Sequence, residues 1–81
     1  MEHPTPEQIK GFILDGLMCE HLEIEGDGRH FYATIVSSTF EGQRTLARQR
    51  AVYAALGERM KEEIHALSMK TYTPSEWQNQ Q

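Results

Sequence analysis

Two stretches of near-strict alternation limit what this chain can become. Leu22 and Ile24 alternate with His21, Glu23 and Glu25, and Phe31, Ala33 and Ile35 alternate with Tyr32, Thr34 and Val36. A period of two places the apolar set of each stretch on one side of an extended backbone, so both read as strands. Gly26-Asp27-Gly28 joins them and supplies the backbone freedom of a tight antiparallel hairpin. A hairpin cannot bury its apolar face by itself. Helices from the rest of the chain must cover it, and 81 residues suffice for one such core, so residues 1–81 read as a single domain.

The helices are announced by their start signals. Thr5-Pro6-Glu7-Gln8 offers a hydroxyl cap, proline at the first helical position and glutamine at the capping-box offset. Ile9, Phe12, Ile13 and Leu17 follow at helical spacing and form one apolar stripe. After the polar bend Ser37 to Gly42, a stretch rich in Ala, Leu, Gln, Arg and Glu predicts a long helix, with Leu46, Val52, Tyr53, Leu56 and Met60 near one side and a break at Gly57. Ile64 to Tyr72 returns to alternation and predicts a third strand, with His65, Leu67, Met69 and Thr71 on one parity. Thr73-Pro74-Ser75-Glu76 repeats the first start signal and opens a short last helix containing Trp77. The order is αββαβα, an α+β fold in which helices cover one face of a three-stranded sheet.

Composition narrows the function classes. The longest apolar run, Ala51 to Leu56, is far too short to span a membrane. The opening residues show neither a basic start nor an apolar core of a secretory leader, so the expected location is the cytoplasm. Cys19 is the single cysteine, which excludes an internal disulfide and any paired-cysteine zinc motif. The net charge is −4, but residues 1–28 carry seven acids against Lys10, whereas residues 29–50 carry four arginines against Glu41. Any electropositive face therefore comes from the middle third. No serine-hydrolase elbow, zincin motif, phosphate-binding loop or dinucleotide fingerprint is present, so an enzyme is not expected.

Two binding chemistries remain. Gly42-Gln43-Arg44-Thr45 opens a helix at which Arg44, Arg48 and Arg50 could meet phosphates, with Phe31 and Tyr32 as stacking groups, although the second glycine of a GxxG clamp is missing. The competing reading is that these arginines are a solvated helix face and these aromatics are core. For metal, His30 opens the second strand, His65 opens the third beside Glu62 and Glu63, and Cys19 and His21 lie near the first. An iron–sulfur cluster takes four protein-type ligands and accepts histidine in place of cysteine, so a chain with one thiol can supply part of a shared shell.

The segments FEGQRTLARQRAVYAALGE and IHALSMKTYTPSEW, with Gly26-Asp27-Gly28-Arg29-His30-Phe31, resemble the BolA family and its short-hairpin, acid-stress-related bacterial branch. The resemblance runs from the first helix to Trp77. It implies an αββαβα fold related to the class II KH arrangement, and partnership with a monothiol glutaredoxin in which a 2Fe-2S cluster is bridged between the two proteins, completed by glutathione and passed on or sensed. Catalysis is not implied, and the isolated chain is expected to carry no cofactor. His65 matches the histidine of the family's Ile/Val-His-Ala motif and is the first expected cluster ligand; His30 is the expected second. The resemblance also implies an alternative, a DNA-binding transcriptional regulator with Arg44, Arg48 and Arg50 as contacts. Phe40, Gly42, Val52, Tyr53 and Leu56 belong to the same signature and read as structural, Trp77 is expected to close the edge of the core, and either a monomer or a weak homodimer is compatible with the exposed strand edges.

Overall fold

A computed structural model describes residues 4–27, 29–61 and 64–80. His3, Gly28 of the expected turn, and Glu62 and Glu63 beside His65 lie outside the described residues. Helix α1 spans Pro6–Gly16 and begins on a reciprocal cap: Gln8 N donates to Thr5 Oγ1 at 3.1 Å, and Thr5 N donates to Gln8 Oε1 at 2.9 Å. Strands β1 (His21–Gly26) and β2 (Phe31–Val36) form the antiparallel hairpin, helix α2 spans Thr45–Leu56, and strand β3 (Leu67–Tyr72) precedes helix α3 (Pro74–Asn79). Two 3-10 turns, Ser38–Phe40 and Ile64–Ala66, separate these elements.

The sheet is mixed, in the order β1-β2-β3, with β1 antiparallel and β3 parallel to β2. The register aligns Leu22, Ile35 and Thr71 across the three strands, and likewise Ile24, Ala33 and Met69. This face meets α1 and α2, and its core joins Ile9, Ile13, Phe31, Ile35, Phe40, Val52, Leu56 and Met60. Two close contacts fix how the helices sit. A Cβ on Gly16 would fall 2.8 Å from Ala55 Cα, so α1 and α2 approach where one partner has no side chain. Arg59 then bridges them, donating to Asp15 Oδ2 at 3.0 Å, Phe12 O at 3.1 Å and Ala55 O at 2.9 Å.

The expected helices on one face correspond to α1 and α2. Helix α3 lies at the end of the opposite face, where Trp77 stacks on His21 with centroids 4.9 Å apart and tilts against Tyr72 at 5.3 Å. His21, Val36 and Tyr72 are aligned by register and have the opposite parity to the core set. Trp77 therefore covers the end of the second face and does not close the edge of the core. Two further expectations are corrected, and the expected break at Gly57 is found. Ile64 to Ala66 is a 3-10 turn and not the start of β3, so His65 leaves the strand parity assigned to it. Leu46 and Tyr53 are exposed, because the helix buries only the narrower stripe Val52, Ala55 and Leu56. Gly57 ends α2 with a φ of 59°, a left-handed position that glycine adopts without steric cost.

The last helix is tied to α2 by one ion pair. Arg48 donates to Glu76 Oε1 at 2.7 Å and Oε2 at 3.2 Å, and also to the carbonyls of Gln43 and Thr71. Glu76 simultaneously caps α3 by accepting from Thr73 N at 2.9 Å. The bidentate Arg48 guanidinium and then the Thr73 amide hold the Glu76 carboxyl at a pKa of about 2, below its ordinary 4.5. A depressed carboxylate pKa gives stability that is present above the ordinary value and lost as pH falls through the folded one. Glu76→Gln is therefore expected to lower the denaturation midpoint at pH 7, and the gap from wild type should close as pH falls from about 4.5 towards 2. Urea midpoints measured at several pH values check it; a constant gap down to the lowest pH contradicts the ion-pair account.

Candidate functional site

The parallel pairing of β2 and β3 places the two expected ligand histidines at one end of the sheet. Phe31 aligns with Leu67, so the strands enter the sheet side by side. His30 directly precedes Phe31, and His65 lies two residues before Leu67 on the 3-10 turn. Both side chains are exposed. Their positions are set by buried neighbours: Phe31 is 1% exposed, and Ala66 and Leu67 are buried immediately after His65. Apolar burial on each strand thus anchors a polar residue at its solvent-facing start.

The hairpin holds His30 further. Asp27 Oδ1 accepts from the backbone amides of Arg29 at 2.9 Å and His30 at 3.0 Å, and Asp27 N donates to His30 O at 3.3 Å. These two amides, His30 first, hold the Asp27 carboxyl below the usual carboxylate range. Gly26 has no alternative at its position, since a Cβ there would meet His30 O and Phe31 Cδ1, each at 2.6 Å. Sequence reasoning placed Asp27 in the link but missed that it positions His30; the signal was an aspartate two and three residues before the amides it caps.

The other candidate ligands sit elsewhere. His21 aligns with Val36, at the far end of β2 from His30, roughly 20 Å away over six strand steps. Its Nε2 is sealed from solvent, 3.2 Å from Glu23 Oε2 but out of line for a hydrogen bond. Cys19 is near the same end, half-buried against the core, and desolvation first, then the Glu20 carboxylate, pushes its thiol pKa up. It behaves as a small apolar residue and not as a thiolate donor. Among the described residues, no three His, Cys, Asp or Glu side chains converge on a metal position.

The three arginines of the alternative reading differ in their surroundings. Arg48 is committed to Glu76, Thr71 and Gln43, with its side chain 12% exposed, and its guanidinium lies 5.7 Å from the Phe40 ring centre. Arg44 and Arg50 are exposed, but Arg50 is about 200° around α2 from Arg48, two steps of about 100°. Of the two possible stacking groups, Phe31 is core and Tyr32 is 57% exposed. Among the described residues, no helix is long and apolar enough to cross a membrane.

Comparison with known proteins agrees with this architecture. Residues 16–76 match the family described as BolA-like protein. A bolA protein homologue from Coxiella burnetii has a similar structure, with a TM-score of 0.82 and 50% identity, covering 93% of this chain and 97% of that one. The acid stress protein IbaG of Escherichia coli strain K12 is 35% identical over 71 residues, 86% of this chain and 84% of its own length. The DNA-binding transcriptional regulator BolA of the same strain is 41% identical over 56 residues, 69% of this chain and 53% of its own length. By the matched family pattern, these identities and the shared three-helix, three-stranded fold, the chain belongs to the BolA-like protein family.

Proposed function

We propose that this chain is a binding module and not an enzyme, contributing His65 and His30 to a 2Fe-2S cluster shared with a monothiol glutaredoxin that brings a thiolate and glutathione. The observation that carries the reading is the Phe31–Leu67 register, which puts two exposed imidazoles at adjacent strand starts. The donor set fits a shared shell and not a private one. Two histidines are presented to solvent, the only thiol is half-buried with a raised pKa, and no third ligand converges among the described residues. When bound, the cluster supplies one-electron chemistry and an iron–sulfur unit that can be handed on or sensed. The chain's own residues orient the imidazoles: Asp27 and Gly26 fix the backbone at His30, and the buried Ala66-Leu67 step fixes the turn at His65. A neutral imidazole nitrogen is the donor, so binding favours the deprotonated ring.

Anaerobic reconstitution of the purified chain with a monothiol glutaredoxin and glutathione tests this. The mixed complex is expected to show cluster absorption and visible circular dichroism that differ from those of the glutaredoxin alone. His65→Ala should remove that difference and His30→Ala should alter it, while far-ultraviolet spectra stay unchanged because both side chains are exposed. Identical visible spectra with and without both substitutions would rule the reading out. The alternative is a DNA-binding regulator, supported by the name of the Escherichia coli relative. It is less favoured because Arg48 is held in its ion pair. Salt-dependent duplex binding that Arg44→Ala weakens would turn the assignment towards it.

A further inference from the structure

Strand β1 is an edge of the sheet, and among the described residues nothing pairs with its outer side. Between it and α1 runs a groove of about 290 Å³, lined by Pro6, Glu7 and Lys10 on the helix and by Leu22 to Glu25 on the strand. The two faces of this edge differ. Leu22 and Ile24 share the parity of Ala33 and Ile35 and face the helices, whereas Glu23 and Glu25 share the parity of Tyr32 and Thr34 on the opposite face. An unpaired edge is a template for one more strand. From the parity and the charge, we infer that β1 receives an extended basic segment of another protein as a fourth strand. That segment alternates apolar residues, lying towards α1 beside Leu22 and Ile24, with lysine or arginine beside Glu23 and Glu25.

The charge on this edge selects against the competing occupant. Two copies paired antiparallel about Ile24 would set Glu23 of each against Glu25 of the other, and like charges directly opposite are destabilising. Edge charges also deter self-association in general, and here the carboxylates that repel a second copy are the ones that recognise a basic strand. Among the described residues, Lys10 is the one cation lining the groove, and it belongs to the helix wall where the apolar set of the incoming strand would lie. Glu25 lies opposite Tyr32, at the His30 end of the sheet, but pairing along the outer side of β1 uses neither the His30 nor the His65 imidazole, so it does not depend on the cluster reading.

The test uses the full chain, isotopically labelled, titrated at low salt with a blocked peptide the length of β1 that alternates valine with lysine. Saturable shifts and slowed exchange are expected at the amides of Leu22 to Glu25, and Glu23→Gln with Glu25→Gln should weaken binding roughly fivefold, as two exposed ion pairs allow. A peptide alternating valine with glutamate, and a valine–lysine peptide methylated on its backbone nitrogens, should not bind. Amide spectra unchanged outside β1 establish that the variant is folded, and the methylated peptide gives the answer without any variant. The inference is overturned by a footprint on Tyr32, Thr34 and Lys70, which share the face of Glu23 and Glu25, that leaves the β1 amides unmoved, by equal binding of the methylated peptide, by no binding at low salt, or by sedimentation showing that the free chain pairs with itself through β1.

Discussion

Phe31→Ala is expected to lower stability by about 3–5 kcal/mol, the range for deleting a fully buried aromatic ring. Phe31 is 1% exposed on the central strand and packs within the cluster that joins α1, α2 and all three strands. A domain of this length has a total stability of roughly 4–12 kcal/mol, so the loss takes a large share of it. At about 4–8 °C per kcal/mol for small domains, the melting temperature should fall by at least about 12 °C. Urea and thermal unfolding of the two proteins check the figure, and a change below about 1 kcal/mol would show that the ring does not hold the sheet to the helices. The substitution also bears on the site. Phe31 aligns with Leu67 and follows His30 directly, so faster amide exchange at His30 and Leu67 should accompany the loss.

Gly16→Ala should cost about 1–3 kcal/mol, as overpacking a closed contact does. The added methyl would lie 2.8 Å from Ala55 Cα and 2.9 Å from Ala55 Cβ. A backbone atom cannot rotate away, so α1 and α2 must separate, and the Arg59 bridge to Asp15 and Phe12 must stretch with them. Gly11→Ala is the matched control with the opposite sign. Gly11 is exposed in the interior of α1, and an added Cβ meets nothing within 4 Å. Helix propensity alone then applies and should raise stability by up to about 1 kcal/mol. If both substitutions move the urea midpoint the same way, the close helix approach at Gly16 is wrong. Gly16→Ala combined with Ala55→Gly should recover only part of the loss, since Ala55 Cα remains at the shorter distance.

Some features were legible because their signals are local. Thr5 with Gln8 and Thr73 with Glu76 form the expected capping boxes, each within four consecutive residues. Alternation identified β1 and β2 and their core-facing residues, because the period of two is a property of the strand itself. The third strand was found but its start was misjudged. Alternation in Ile64 to Ala66 continues that of the strand, yet the backbone there makes a 3-10 turn before pairing begins at Leu67. The ion pair of Arg48 was not legible for the opposite reason. Nothing near Arg48 in the chain points to Glu76, and only the docking of α3 against β3 and α2 brings the guanidinium to that carboxylate.

By itself the sequence determined the elements, their order and the family, since caps, alternation and short motifs are written in neighbouring residues. The tertiary structure alone decided that β3 runs parallel to β2 in the Phe31–Leu67 register, and hence that His30 and His65 share one end of the sheet while His21 and Cys19 lie at the other. It also decided that α3 covers the second face through Trp77 and that β1 is left as an acidic edge. The reason is physical. Strand pairing between distant segments is selected by the burial of a whole core, and no residue in either segment carries the identity of its partner.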